Sequence, residues 1–135
     1  MILAYKHGDR TDLAPALTKM MMRPGAVLLE CAEIVAPVPL YWTHLISRRY
    51  NQAGLLSNRL AKVGCTRSIP DLLVRTKRTS SQGGKSSAGR RRNVKGAFAL
   101  QQRHKEMLMG KRVLLVDDVL TTGATIETAA QALIK

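Results

Sequence analysis

Apolar positions recur at helical spacing in LAPALTKMMM, which begins at Leu13. Thr11 or Asp12 is placed to cap that helix, and Pro15 falls in its first turn, where a missing N–H costs little. Pro24-Gly25 predicts its end. The stretch 32–39, AEIVAPVP, changes to a short apolar run closed by two prolines, which predicts a strand leading into a proline-rich turn. From Arg49 to Lys62 the helical period returns, with Ala53, Leu56, Leu60 and Ala61 on one face and Gly64 beyond the end. Further strands are predicted at 69–74, 94–100 and 112–116. The last is a continuous apolar run expected to be buried on both faces. An amphipathic helix is predicted from Thr125 to Lys135. Strands alternating with helices predict an α/β fold with a parallel sheet.

One segment breaks the pattern. Between Arg75 and Asn93 the chain reads RTKRTSSQGGKSSAGRRRN, almost without apolar side chains. It predicts a long, flexible basic loop within a single domain over 1–135, and long loops inside compact domains often serve as lids. A surface insertion without a function is the alternative.

Composition adds charge to this picture. The 135 residues carry 22 Lys+Arg against 9 Asp+Glu, a formal net charge of +13. Between Ile34 and Lys105 there are 15 basic residues and one acid, Asp71. Such a block attracts nucleic acid or a substrate with several phosphates, unless it is only a solvated face. No apolar run approaches the roughly 18 residues of a membrane helix. The N-terminus lacks the pattern of a secretory signal, so a cytoplasmic location is expected. Cys31 and Cys65 form no CxxC pair and are expected to be two buried thiols. The methionine run 20–22 is expected to fill core space.

The chemistry concentrates in VLLVDDVLTTGAT, residues 113–125. An apolar strand runs into Asp117 and Asp118, then a Thr/Gly loop, then a helix start. Ligands of open α/β sheets bind at the carboxyl ends of strands. Amides of Leu120, Thr121, Thr122, Gly123, Ala124 and Thr125 can converge on one anion, assisted by the helix N-terminus. Gly123 allows positive φ. The carboxylates would repel a phosphate and suit a polyol, whose hydroxyls donate to them. A ribose 5-phosphate presents both groups. One carboxylate could also recruit Mg²⁺ together with ligand oxygens.

This stretch resembles the signature of type I phosphoribosyltransferases. With PVPLYWTHLISRRYNQAGLLSNRLAK, RTKRTSSQ and RRRNVKGAF preceding it in order, the chain resembles the competence protein F (ComF) family from about Leu3 onward. Three features depart from that family. There is no cysteine-rich zinc module, Tyr50 stands where a Gly-Phe or similar pair is common, and the sequence stops at Lys135 within the last helix, so the sheet is expected to be truncated at its C-terminal side.

The resemblance implies a ligand, phosphoribosyl diphosphate, and a reaction, transfer of its phosphoribosyl group to a base or amine. It implies that Asp117 and Asp118 contact the ribose hydroxyls, with Mg²⁺ nearby, and that residues 120–125 cradle the 5-phosphate. Pro39, Arg48 and Arg49 stand where the family binds diphosphate. Lys85 and Arg90 lie in the lid and are the implied catalytic cations. Purine-salvage relatives keep a general base where this chain has Thr121, which disfavours a hypoxanthine-guanine acceptor. A non-catalytic ligand sensor, or a DNA-uptake protein binding single-stranded DNA, would keep the same fold. Only five aromatic side chains are available for stacking bases, which weighs against the latter. A homodimer is expected by analogy.

Overall fold

A computed structural model describes residues 10–40, 50–77, 87–120 and 122–134. The elements in chain order are α1 (Ala14–Cys31), β1 (Ile34–Pro37), α2 (Gln52–Val63), β2 (Arg67–Ser68), β3 (Leu73–Arg75), α3 (Ser87–Val94), β4 (Phe98–Leu100), α4 (Lys105–Leu108), β5 (Val113–Val116) and α5 (Ala124–Ile134). Two short 3-10 turns precede α1 and α4.

Three strands form a parallel sheet in the order β2-β1-β5. β1 pairs with β5 from Ile34↔Val113 to Pro37↔Val116, and it is buried throughout. The crossover from β1 through α2 to β2 explains the parallel pairing, because parallel neighbours need such a connection. α2 lies against β1 and α1. Its predicted face is the buried one: Ala53, Leu56, Leu60 and Ala61 are all within the core. Leu56, Leu60 and Ala61 join Leu17, Leu29, Val35 and Val116 in one apolar cluster. Gly64 follows α2 with a φ of −80°, so it is not needed there for a left-handed turn. A Cβ at Gly64 would come within 2.8 Å of Leu29 Cγ, and close packing explains the glycine.

Several expectations are corrected. α1 continues through Pro24, which lies on its exposed side. Leu17 before the proline and Leu29 after it share one core cluster, so packing at both ends outweighs the lost hydrogen bond. Neither Thr11 nor Asp12 caps α1; Leu13 is its N-cap residue, and the Asp12 carboxylate pairs with Arg10. Met21 and Met22 pack on the core as expected, but Met20 is 58% exposed. Both cysteines are exposed rather than buried. Cys31 closes α1 on its outer side, and Cys65 occupies the turn after α2 with a φ of 50°.

Of the strand predicted at 69–74, only Leu73 and Val74 are strand, at the start of β3. β2 lies just ahead of the predicted range and in the other sheet. Pro70 cannot donate to a ladder, and the chain turns there from β2 to β3. β3 then pairs antiparallel with β4, from Leu73↔Leu100 to Arg75↔Phe98. The predicted strand 94–100 starts late, at Phe98, because Gly96 takes a φ of +66° in the turn before it. The predicted basic loop is shortened at both ends. Arg75 belongs to β3, and the residues from Ser87 to Val94 form α3, which packs on α5. β5 is only half-buried except at Val116. Among the described residues β1 is its only strand neighbour.

Candidate functional site

β1 and β5 end together. The Val38 amide donates to the Val116 carbonyl at 2.8 Å, so Pro39 and Asp117 leave the sheet from the same end. Pro39 is buried there. The start of α2 is tied to the same place through Asn51. Its side-chain amide donates to the Val38 carbonyl at 3.2 Å, and its side-chain oxygen accepts from the Ala53 amide at 3.1 Å. Asn51 is therefore both a helix cap and a clamp on the end of β1. Asn51→Ala should lower stability by about 1–2 kcal/mol, the usual cost of a lost cap, read from the urea midpoint at unchanged m.

Asp117 and Asp118 follow β5 and are both partly buried. The Asp118 amide donates to Asp117 Oδ1 at 2.8 Å, which fixes the first carboxylate against the backbone. The loop then reaches Thr122, whose hydroxyl accepts from the Ala124 amide at 3.4 Å, at the first turn of α5. Leu120 is exposed, Ala124 is buried, and Thr122, Gly123 and Thr125 lie between these extremes.

Gly123 takes a φ of +77°. A Cβ there would meet only Leu120 Cδ1, at 4.0 Å, so backbone conformation rather than crowding calls for glycine. Gly123→Ala should cost about 1–2 kcal/mol in the left-handed region, measured by urea unfolding. A methyl group would also project beside the loop amides.

Arg75, the first residue of the RTKRTSSQ stretch, adds a cation that the sequence pattern does not assign to the site. It sits at the end of β3, partly buried, with its guanidinium carbon 5.5 Å from the centroid of the Phe98 ring. Burial pulls its pKa below the ordinary guanidinium value, and the Asp117 carboxylate pulls it back up. The group stays charged and lies within electrostatic reach of Asp117. The place of Arg75 at the head of RTKRTSSQ was the signal available in the sequence.

Two more cations approach from α3 and the turn after it. Arg92 and Lys95, with Ala124, Glu127 and Thr128, line a cleft of about 280 Å³ at the start of α5. Sequence pattern assigned Arg92 to a loop and Lys95 to a strand, and so placed neither beside α5.

Of the other predicted positions, Arg48, Arg49, Lys85 and Thr121 lie outside the described residues. Arg90 is in α3, but its side chain is likewise outside the description. Among the described residues no three acidic, His or Cys side chains form a metal-binding group. The larger clefts, of about 480 and 420 Å³, lie beside β5 and between β4 and α5, and neither contains Asp117 or Asp118. Among the described residues no helix is long and apolar enough to cross a membrane.

Comparison with known proteins bears on this arrangement directly. Residues 52–135 match the phosphoribosyl transferase domain family. Competence protein F of Haemophilus influenzae is 40% identical over 107 residues, which are 79% of this chain and 46% of that protein. DNA utilization protein YhgH of Escherichia coli K12 is 29% identical over 140 residues, covering 100% of this chain and 60% of that protein. The Salmonella typhimurium protein of the same name is 30% identical over 141 residues, with the same coverage. The chain thus spans roughly half the length of these relatives. No solved structure matches. The parallel sheet, the acid pair and glycine loop at its carboxyl end, and these matches place the chain in the phosphoribosyl transferase domain family, as a type I member of the competence protein F group.

Proposed function

We propose that the chain binds phosphoribosyl diphosphate with Mg²⁺ and transfers the phosphoribosyl group to a base or amine. The observation that carries this reading is the junction at the end of β5. Two carboxylates, a glycine-centred loop and a helix start follow one another where β1, β3 and α2 also end or begin. In this reading Asp117 and Asp118 accept from the ribose hydroxyls. The amides of residues 120–125 and the N-terminus of α5 hold the 5-phosphate.

Two adjacent carboxylates, with no third acidic, His or Cys ligand beside them among the described residues, suit Mg²⁺, which keeps waters and takes its remaining ligands from substrate oxygens. Bound there, the ion would neutralise charge on the departing diphosphate. The chain's own part is to orient the sugar and to surround the leaving group with cations. Lys85, Arg90, Arg48 and Arg49 are proposed for that task, with Pro39 shaping the turn that holds the diphosphate. Arg92 and Lys95 stand near enough to the first turn of α5 to add to the positive field. Cleavage of the bond from the anomeric carbon to diphosphate develops positive charge on the ring, which the nearby carboxylates stabilise.

Diphosphate release in the presence of a panel of bases and amines tests turnover. Acceptor-dependent release is expected. Tight binding without release for any acceptor would leave a sensor in place of an enzyme.

A second reading has its own support. The relatives include proteins named for DNA utilization, and the chain carries a net charge of +13. A basic surface binds a phosphate backbone with affinity that falls steeply with salt. Single-stranded DNA binding that persists in the aspartate variants would favour it.

A further inference from the structure

The cleft between β4 and α5 has a volume of about 420 Å³, within the range of small-molecule sites. The smaller cleft at the start of α5 adjoins it, because Lys95, Thr128 and Gln131 line both. Phe98, Ala99, Leu100 and Ala132 give the larger cleft an apolar floor. Lys95, before β4, and Lys105, after it, also line the cleft and are exposed.

Positive charge gathers at the Lys95 end. Lys77 Nζ donates to the Lys95 carbonyl at 3.3 Å, and Arg92 lines the adjoining cleft. Among the described residues that line the two clefts, Glu127 is the one carboxylate. Among the described residues no ion pair joins Arg92, Lys95 or Lys105 to a carboxylate. Uncompensated cations beside an apolar floor attract an anion that carries an apolar body.

The polar groups narrow the class. Gln102 and Gln131 each bring an amide with both donor and acceptor. The Thr128 hydroxyl already donates to the Ala124 carbonyl at 2.8 Å, so it is left as an acceptor. Amides and an acceptor oxygen around an apolar floor suit a planar ring with polar edges, and the cations suit a phosphate. Phe98 is the one aromatic side chain among the described lining residues, so a strand of stacked bases has no second platform.

From this we infer that the cleft between β4 and α5 binds a small aromatic phosphate of the nucleoside monophosphate class. The ring lies on the apolar floor and the phosphate is held at the Lys95 end. Neither Asp117 nor Asp118 lines either cleft, so this site stands whether or not the loop after β5 holds a ribose phosphate.

Calorimetric titration of the 135-residue chain with adenosine 3′-monophosphate tests the site. That probe lacks the 5-phosphate proposed for the loop after β5, so it reads the cleft alone. One equivalent should bind. Adenosine and inorganic phosphate, each alone, should bind at least about tenfold more weakly. Lys95→Glu with Lys105→Glu should weaken the probe at least about tenfold, as should Gln131→Ala with Lys105→Ala. These positions are exposed, so both variants should melt with the parent. Asp117→Asn with Asp118→Asn should leave the affinity for the probe unchanged. No binding by the parent at millimolar probe would overturn the inference. So would equal binding of inorganic phosphate, indifference to the lysine changes, or loss of the probe in the aspartate variant. Displacement of the probe by a single-stranded oligonucleotide at far lower concentration would assign the cleft to a nucleic-acid strand instead.

Discussion

Replacing Leu72 with alanine should destabilise the protein by about 2–5 kcal/mol, the range for deleting a fully buried leucine side chain. Leu72 is 0% exposed and packs with Ile34, Ala36, Ile69 and Leu108. It stands between the two sheets, after β2 and before β3, and its carbonyl accepts from the Gln101 amide at 3.0 Å beyond β4. The side chain fills the space between the parallel sheet and the β3-β4 ladder. A cavity there loosens the register of β3, which places Arg75 within electrostatic reach of Asp117. Urea unfolding reads the loss as a lower midpoint at unchanged m. A change under about 0.5 kcal/mol would mean that the two sheets do not depend on this contact.

The second large effect is on the proposed ligand. Asp117→Asn together with Asp118→Asn should remove detectable binding of phosphoribosyl diphosphate while leaving the fold intact. An asparagine amide keeps one acceptor but adds donors, so it cannot receive two ribose hydroxyls as a carboxylate does. It also withdraws the negative charge that would hold Mg²⁺. The Asp118 amide still finds an oxygen at position 117, so the local turn is preserved. The double variant without ligand should therefore melt within a few degrees of the parent. Titration calorimetry gives the affinity, and a loss of at least about 100-fold is expected, equivalent to about 2.8 kcal/mol.

Much of the site was legible in the sequence because it is written locally. The apolar run, the acid pair and Gly123 occupy thirteen consecutive residues, 113–125, and the structure keeps their order as strand, loop and helix. The face of α2 was equally legible, because its period depends only on neighbours three and four residues apart. What escaped was set by distant contacts. Pro24 looked like a helix end, yet Leu17 and Leu29 hold α1 together across it. Residues 87–94 have almost no apolar signal, and α3 owes its place to packing on α5. Arg75 looked like the first residue of a loop, and its position over Phe98 depends on a ladder with residues more than twenty positions away. The exposed cysteines also escaped, because thiol burial is a tertiary property that composition does not set.

The central claim is that the end of β5 is a ribose-phosphate site. The most direct test is the melting temperature of the 135-residue parent chain, with and without phosphoribosyl diphosphate and Mg²⁺. Ligand at about 100 times its dissociation constant should stabilise the fold by about 2.7 kcal/mol and raise the melting temperature by several degrees. The Asp117→Asn, Asp118→Asn chain should show no rise. An unchanged melting temperature in the parent at saturating ligand would contradict the assignment.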